Sequence, residues 1–573
     1  MKTFINTIYH TKSMKWFILS LIMATVLVFN ACNDEDLLVQ VSKSDLTDDA
    51  ILNSKAGFDY YLSGLVYQFR EEWRKGDRDY WSQFWGTDMY NWIDPSERPQ
   101  YGDWAVNLTP ETGDCEKYWN WAYLKMIPMA NKVIYFGQKE SNKDIWENEE
   151  EKNAIIAEAM FFRAWTYNIL ANLFGDAVIV EASTPEPVYD FQRSPRQEVY
   201  QLAREDLEFA SLWLPDEVDA SQEGRPIKAA AQHLLAEVCI SLGDYDAAIT
   251  SATNLIDNLD FYLMKTRFGS AAGEPGDVFS DLFKEGNFNR SSGNKESILV
   301  WQITELVEGG SGTRARGNNF VRGFAAFLVD YVGTDGKPGW IYDPANNPAG
   351  LDTVGGLTRG RGAGFVRPSN YALYDIWQDY WDDMRNSKYN MKREFIFNNP
   401  ESSFYKQKFD PAIHAKNLKD TGRLVYSYSL KVEGPFFEGG EGNFKGRTTK
   451  DAYLIRLAET YLLRAEAYFR KGEFQNAADD INEVRGRAGA PDVLAGEVTL
   501  DYILDERARE LMTEEPRVRT LIRMGNLVER VRKYDIDSVS RATIQEHNKF
   551  WPIPQSAIDA NTGSILRQND DYN

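Results

Sequence analysis

The chain is poor in cysteine and histidine, and it has no excess of basic charge. It has 3 cysteines and 4 histidines among 573 residues, and 64 Lys+Arg face 86 Asp+Glu, giving a formal net charge of −22. Three cysteines cannot build a disulfide framework. An acidic chain also has no net excess of the cations that would neutralise nucleic acid phosphates or anionic lipid headgroups. We therefore exclude a disulfide scaffold and expect no nucleic acid partner.

The short motifs of common catalytic and cofactor sites are also missing. The sequence has no HExxH, P-loop, Gly-x-Ser-x-Gly or CxxC pattern. His233, His414 and His547 are isolated in sequence, and Cys115 and Cys239 have no neighbouring metal ligands, so we expect structural roles for them. The many carboxylates could contain a glycosidase pair, whose separation a sequence cannot show. A solvated acidic surface is the simpler interpretation, and we predict no catalysis, no cofactor and no metal site.

The first residues are typical of an export leader. Basic residues precede an apolar run from Trp16 to Phe29. This run is too short to span a bilayer as a helix and fits the hydrophobic region of a secretory signal. Translation from Met1 or from Met14 is compatible with the pattern. No later segment approaches 18 unbroken apolar residues, so we expect no membrane-spanning helix in the exported protein.

The end of this run resembles a bacterial lipobox. A small residue precedes Cys32, and Asn33-Asp34-Glu35-Asp36 resembles the acidic export signal of surface lipoproteins in Bacteroidetes. The resemblance implies that residues 1–31 are removed and that Cys32 carries the lipid, which would anchor the protein to the outer membrane, facing the exterior. The alternative is a plain signal peptide followed by an incidental cysteine.

Two later segments repeat each other at matched spacing. Ala236-Glu237 and Ala465-Glu466 each begin seven residues before a glycine, which is followed by an acid, an aromatic residue and, five positions on, an alanine. A glycine that ends one helix and an alanine that admits the next predict two hairpins of the tetratricopeptide type. Two unrelated hairpins are the alternative. Apolar residues keep a helical period from Leu454 to Val484, and a further apolar helix is predicted from Ile155 to Phe174.

The segment between these hairpins differs in composition and periodicity. Residues 266–449 hold more than half of the 41 glycines and few periodic runs, which predicts loops, short strands and occasional helices. We therefore predict a mainly α fold: a tetratricopeptide-like helical scaffold, about 45–265 and 450–573, with a long loop-rich, mixed insertion at about 266–449. Residues 32–573 would form a single domain. Long structured loops on a rigid scaffold are common places for binding.

Several short motifs, in a fixed order, resemble the SusD/RagB family of outer-membrane nutrient-binding lipoproteins. They lie in the helix before Gly175, around both hairpins and at the C-terminus: Ala157-Glu158-Ala159, Phe162-Arg163-Ala164, Phe174-Gly175-Asp176, Gly224-Arg225-Pro226, 454–459, 463–467, 481–485, Arg487-Ala488-Gly489, Glu506-Arg507, Glu510-Leu511, 552–555 and 568–572. Their order and spacing are specific, and they cover nearly the whole mature chain.

This resemblance implies a function as well as a fold. Such proteins capture an oligosaccharide or polysaccharide at the cell surface and pass it to a SusC-like TonB-dependent transporter, without catalysis. The helical repeats would face the transporter, and the loop side would hold the ligand. A binder of peptides or protein fragments on the same fold is the alternative, and a purely structural helical-repeat adaptor is a more distant one.

Tryptophan is concentrated ahead of the apolar helix, where 7 of the 15 tryptophans that follow the leader lie between residues 73 and 121. Indole rings stack on the apolar faces of sugars, and polar side chains at the rim bind the hydroxyl groups. The predicted site residues are Trp81, Trp85, Trp92, Trp104, Trp340 and Tyr342 for stacking, with Asp88, Asn91, Arg314 and Arg316 as a polar rim.

The alternative for each of these residues is packing within its own loop or the core. We expect Trp119 and Trp121 to be core, whereas for Trp81 and Trp85 core and site are equally favoured. Trp92 and Trp104 lie in polar or Pro/Gly-containing sequence, which predicts exposure. The hypothesis is that Trp92, Trp104, Trp340 and Tyr342 form part of one aromatic platform.

Overall fold

Helices make up most of the regular structure, and the strands are few and short. The computed structural model describes residues 47–74, 80–92, 102–181, 187–304, 318–341, 360–435 and 448–572, so the predicted lipidation site Cys32 lies outside the described residues. The α-helices are α1 Asp48–Ile51, α2 Lys55–Arg74, α3 Trp104–Asn107, α4 Gly113–Trp121, α5 Ile127–Gln138, α6 Glu149–Phe174, α7 Arg196–Trp213, α8 Lys228–Leu242, α9 Tyr245–Ile256, α10 Val278–Leu282, α11 Phe320–Phe324, α12 Asn370–Leu373, α13 Pro411–His414, α14 Leu457–Lys471, α15 Phe474–Arg487, α16 Leu500–Glu510, α17 Arg517–Met524, α18 Leu527–Tyr534, α19 Ser538–Thr543 and α20 Gln555–Ala560. The strands are β1 Tyr90–Asn91, β2 Ser297–Trp301, β3 Arg367–Pro368, β4 Met391–Lys392, β5 Tyr428–Ser429 and β6 Ala452–Arg456.

Helix α6 is the central helix of the first half of the scaffold. Asn148 caps it by accepting a hydrogen bond from the Glu151 amide, and three glutamates in the first turn face the positive end of the helix dipole. Apolar residues occur on all sides of the helix, and every residue from Ile156 to Phe174 is buried except Met160, including Glu158 and Arg163. It ends at Gly175, which takes a φ of +74°. The predicted end is confirmed, and the helix begins six residues earlier than predicted.

The two predicted hairpins are confirmed as α8–α9 and α14–α15. Gly243 and Gly472 end the first helix of each pair with φ of +80° and +81°, a left-handed conformation that a side chain would strain. Helix α14 begins at Leu457, because Leu454, which was predicted to be helical, lies in strand β6.

The helices stack in a continuous series of neighbours. Helix α6 packs on α7, α7 on α8, and α8 on α9; α9 then packs on α14, which pairs with α15. The two halves of the scaffold therefore meet at α9 and α14, although about 200 residues separate them in sequence. This arrangement confirms the predicted mainly α, tetratricopeptide-like scaffold.

The segment between α9 and α14 is joined to the scaffold by strand pairs. Strand β2 pairs antiparallel with β6, directly ahead of α14, whereas β4 pairs with β5 within the segment itself. Strand β1, from the tryptophan-rich segment, pairs antiparallel with β3, with Tyr90 opposite Pro368 and Asn91 opposite Arg367. The tryptophan-rich segment is thus held against the glycine-rich one.

The chain divides into two units, residues 1–51 and residues 52–573. Of the first unit only residues 47–51 are described, so the core discussed below lies entirely in the second unit. None of the helices in the described ranges is both long and apolar enough to cross a membrane.

Candidate functional site

The tryptophans predicted to be exposed are buried. Trp92 is 5% exposed and Trp104 is 1% exposed, so the prediction of exposure is wrong for both. Trp104 lies against α19, where its Nε1 donates to Ser540 Oγ at 3.0 Å. Trp92 lies under residues of the glycine-rich segment, because β1 pairs with β3 at this point. A polar local sequence did not indicate exposure here, because the covering residues come from distant parts of the chain.

Trp340 is also buried, in a cluster separate from Trp92 and Trp104. Its ring stacks on Phe397, with centroids 4.6 Å apart, and its Nε1 donates to the Ile396 carbonyl at 2.9 Å. Tyr342, Arg314 and Arg316 lie outside the described residues. The structure therefore does not bring Trp92, Trp104 and Trp340 together on one exposed platform.

The two predicted rim residues that are described have structural partners. Asp88 is buried between Arg517 and Arg530 and accepts hydrogen bonds of 2.7–2.9 Å from both. Burial would raise the pKa of Asp88, but the two guanidinium groups outweigh it and hold that pKa below its usual value. Asn91 donates to both carboxylate oxygens of Asp535, at 2.8 and 2.9 Å. Neither residue forms a solvent-facing rim.

The buried carboxyl of Asp535 makes the free energy of unfolding depend on pH. Burial raises its pKa to about 7, above the 3.8 of an ordinary aspartate. A carboxyl with a raised folded-state pKa stabilises the fold below about pH 4, and the contribution is lost as the pH rises toward 7. Asp535→Asn has no carboxyl to ionise at this position. Between pH 5 and pH 8 we therefore expect the unfolding free energy of the wild type to fall by about 2 kcal/mol more than that of the variant. Urea unfolding of both proteins at the two pH values measures this; a difference independent of pH would contradict it.

Trp81 and Trp85 are core residues that support the segment above them. The Trp81 ring packs edge-on against Phe324, with centroids 5.4 Å apart. Trp85 Nε1 donates to the Phe365 carbonyl at 2.9 Å, and its ring lies 5.9 Å from that of Trp92. Trp119 and Trp121 are buried, as predicted.

Above this support lies a group of three rings and two arginines, which we call the aromatic–arginine cluster: Trp92, Phe327, Phe365, Arg361 and Arg423. Trp92 stacks on Phe365 at 5.5 Å with an interplanar angle of 16°. The Arg423 guanidinium lies 5.1 Å from the Trp92 ring centre and 5.6 Å from that of Phe327, and the Arg361 guanidinium lies 5.5 Å from the Phe327 ring centre. Trp92 and Phe365 form its buried floor, whereas Phe327, Arg361 and Arg423 are half-buried.

Backbone hydrogen bonds fix the three segments of the cluster to one another. The Phe327 amide donates to the Arg423 carbonyl at 3.1 Å, and the Phe365 amide donates to the Gly323 carbonyl at 2.9 Å. Arg423 Nε donates to the Ala363 carbonyl at 3.3 Å. Segments 320–327, 361–366 and 423–424 therefore form one surface.

Two glycines allow this close backbone approach. A Cβ on Gly362 would lie 2.2 Å from the Ala326 carbonyl oxygen, and one on Gly364 would lie 2.5 Å from the Arg423 carbonyl oxygen. Both contacts are with backbone, which cannot rotate away. The glycine content of the segment is thus a requirement of packing as well as of turns.

The chemistry of the cluster suits binding. Its five side chains carry no carboxylate, imidazole or thiol, so they supply no general acid or base for neutral pH. Flat rings can stack on apolar ligand faces, and each guanidinium offers up to five N–H donors. The part of the chain that the structure describes contains no group of three or more His, Cys, Asp or Glu residues placed to hold a metal ion.

The cluster was not predicted as a site, apart from Trp92. The sequence offered one usable signal, the run Gly360-Arg361-Gly362-Ala363-Gly364-Phe365, which alternates glycine with an arginine and an aromatic residue. Nothing in the local sequence around Phe327 or Arg423 links them to this run.

Two open clefts share no residue with the cluster. One, of about 1020 Å³, lies between Asp176, Gln192 and the C-terminal segment 546–571. Its Arg193 donates to the carbonyls of Asp176 and Arg567, so it ties the C-terminal segment to the scaffold. The other, an apolar groove of about 590 Å³, runs along α4 and α5 beside residues 178–180 and 188–191. The first cleft is lined by Phe550 with Arg193 and Arg567, and the second has aromatic rings in its lining but no arginine.

Comparison with protein families gives two matches. The model described as "SusD family" matches residues 373–572, and the model described as "Starch-binding associating with outer membrane" matches residues 64–240. Together they span about two thirds of the chain.

Similar curated proteins carry related names. The chain is 26% identical over 466 residues to SusD-like protein P2 of Formosa agariphila, covering 80% of this chain and 77% of that protein. It is 37% identical over 126 residues to the starch-binding protein SusD of Bacteroides thetaiotaomicron, covering 21% of this chain and 22% of that protein.

Solved structures share the fold over most of the chain. Surface glycan-binding protein A from Bacteroides thetaiotaomicron superposes with a TM-score of 0.66 at 18% identity, covering 91% of this chain and 100% of that chain. A laminarin-binding SusD-like protein superposes with a TM-score of 0.64 at 19% identity, with the same coverage. At this identity the likeness establishes the fold. Together with this shared fold, the two family matches show that the chain belongs to the SusD/RagB family.

Proposed function

We propose that this protein is a non-catalytic, cell-surface lipoprotein that captures oligosaccharides or polysaccharides and passes them to a SusC-like TonB-dependent transporter. The observation that carries the proposal is the aromatic–arginine cluster. It combines stacked rings with guanidinium donors where the tryptophan-rich segment meets the glycine-rich one. Relatives named for binding starch, laminarin and surface glycans support the same ligand class.

Each part of the cluster has a role in this proposal. Phe327, the half-buried ring, stacks on a sugar face, while Trp92 and Phe365 beneath it fix the position of Arg423. Arg361 and Arg423 donate hydrogen bonds to sugar hydroxyls. Backbone hydrogen bonds join the segments that carry these residues. Ligand binding therefore costs little additional conformational entropy, which favours affinity.

Anchoring and export are proposed from the leader and from one family match. Cys32 would carry the lipid, and the matched model described as associating with the outer membrane supports that location. Hand-over to a transporter rests on the family resemblance. Co-purification of the detergent-solubilised lipoprotein with a TonB-dependent barrel would test it.

Native affinity electrophoresis tests the ligand class. Residues 33–573 are run through gels containing amylopectin, laminarin, dextran or polygalacturonate, with bovine serum albumin as the unretarded reference. We expect retardation by at least one polymer, since protein–sugar sites with dissociation constants of about micromolar to millimolar strength are detectable this way. Free migration in all four gels, together with binding of a peptide mixture, would favour the alternative ligand class, peptides or protein fragments.

A further inference from the structure

A second aromatic surface lies on the turn that follows α12, outside the aromatic–arginine cluster. Trp381 is 51% exposed and Tyr374 is 43% exposed, whereas most aromatic residues in the described ranges are buried or half-buried. Exposing a large ring to water forgoes the stabilisation that its burial would give. Two such rings side by side therefore need an explanation.

One arginine holds both rings. The Arg393 guanidinium lies 4.8 Å from the Trp381 ring centre and 5.3 Å from that of Tyr374. Its Nη2 donates to the Leu373 carbonyl at 2.7 Å and to Asn386 Oδ1 at 2.5 Å. Asn386 in turn donates to the Trp381 carbonyl at 2.8 Å, so the turn closes on itself.

The guanidinium of Arg393 packs against the two rings, and only part of its donor capacity is used. Its Nε and Nη1 atoms are buried and have no hydrogen-bond partner among the residues that the structure describes. Withholding a guanidinium from water without acceptors is costly, and the π-faces of two rings offset only part of that cost. The structure thus contains an unfavourable burial of guanidinium nitrogens at the place where two rings are held in position and exposed to solvent.

Polar side chains are exposed on the same turn as the two rings. Asp375, Gln378, Asp379 and Asp382 are all exposed on the same turn. Carboxylate and amide groups bind the hydroxyls of a sugar whose apolar face stacks on a ring. Three carboxylates also disfavour a ligand with its own negative charge.

The turn is attached firmly to the scaffold. The neighbouring Asp383–Arg385 pair is fully buried, and the Met384 amide donates to the Ala488 carbonyl at 3.0 Å. The rings therefore stand on a fixed base, as a preorganised binding surface requires.

We propose that Tyr374 and Trp381, held by Arg393 and rimmed by Asp375, Gln378, Asp379 and Asp382, form a second stacking surface for a neutral hexopyranose chain. This inference takes its ligand class from the proposed function, but it uses none of the residues of the aromatic–arginine cluster. A polysaccharide that contacts both surfaces would be held more tightly than either surface alone would hold it.

The test uses amylopectin, laminarin and dextran gels, with polygalacturonate as the anionic comparison. Trp381→Ala is expected to weaken retention by a neutral polymer about three- to tenfold, and Tyr374→Ala/Trp381→Ala is expected to weaken it further. Trp381→Phe, which keeps a ring, should restore part of the retention. Tyr135→Ala is the matched control, because Tyr135 is 53% exposed on α5, away from this turn, and it should leave retention unchanged.

The outcomes separate this inference from the proposed function. If Trp381→Ala migrates as the wild type while Arg423→Ala loses retention, the second surface is refuted and the cluster stands. If Trp381→Ala loses retention and Arg423→Ala does not, the second surface is supported and the cluster is refuted. If both variants lose retention and their combination loses more, both are supported. A wild type that only polygalacturonate retards refutes the second surface alone, whereas a wild type that none of the four polymers retards refutes both.

Discussion

Arg385→Met is expected to lower the free energy of unfolding by about 3–5 kcal/mol, since it leaves buried carboxylates without their counter-charge. Arg385 donates to Asp383 at 2.6 Å, to Glu506 at 2.7 Å and to Glu510 at 3.0 Å, and all four side chains are fully buried. Burial alone would raise the pKa of Glu506, but the surrounding guanidinium groups, Arg385 foremost, lower it to about 2. Removing Arg385 therefore removes part of what keeps these acids charged.

In the Arg385→Met variant, loss of structure should begin in the segment around residue 385. Arg385 belongs to the segment between the hairpins, whereas Glu506 and Glu510 belong to α16 of the scaffold. Limited proteolysis of Arg385→Met should cut near residues 374–393 before it cuts the scaffold. Lys143→Met is the matched control, because Lys143 forms an exposed pair with Glu140 and should change the unfolding free energy by less than about 1 kcal/mol. Equal urea midpoints for the two variants would contradict the structural role of Arg385.

Arg423→Ala is expected to lower the affinity for a retained glycan about 10- to 100-fold. Hydrogen bonds that involve a charged group contribute about 1.5–3 kcal/mol, which corresponds to that range. Arg423 is the one residue of the cluster placed against all three rings, including Phe365 at 6.0 Å. Its removal takes away a donor and also loosens the ring geometry.

Calorimetric titration with an oligosaccharide of the retained polymer measures this effect. Arg423→Lys keeps the charge but not the planar fork, so we expect intermediate affinity. Arg204→Ala is the matched control, because Arg204 pairs with Glu208 on the surface of α7. An Arg423→Ala variant that keeps the wild-type unfolding midpoint and binds within twofold of the wild type would refute the role of the cluster.

Features governed by neighbours in sequence were predicted well. Gly243 and Gly472 end their helices because each needs a left-handed conformation, which depends on the residue itself. The end of α6 at Gly175 was predicted for the same reason. By contrast, Leu454 continues the apolar period of α14 and still lies in a strand, because its segment pairs with β2 about 150 residues earlier in the chain. A one-dimensional pattern does not contain that pairing.

The exposure of the candidate binding residues was predicted poorly for a related reason. Trp92 and Trp340 have the local sequence of exposed loop residues, and partners from other segments bury both. The Trp85–Phe365 hydrogen bond, which helps to cover Trp92, joins residues 280 positions apart. Arg361 and Arg423 come together only because glycines at 362 and 364 admit close backbone contact. Composition indicated that aromatic binding was plausible, but the choice of residues required the fold.

The motifs that carry the family resemblance have a structural role where they are described. Glu510, from one such motif, accepts hydrogen bonds from Arg385, from Arg456 at 2.6 Å and from Arg487. Burial would raise the pKa of Glu510, but these cations hold it well below its usual value. Glu510 thus helps to fix the segment between the hairpins to the scaffold.

Hydrogen exchange with and without a retained oligosaccharide tests the central claim most directly. If the glycan binds at the aromatic–arginine cluster, the backbone amides of residues 320–328, 360–366 and 423–427 should exchange more slowly in its presence. The hairpins α8–α9 and α14–α15 should be unaffected. Protection confined to the hairpins, or to the clefts beside residues 178–180, 188–191 and 546–571, would contradict binding at the cluster.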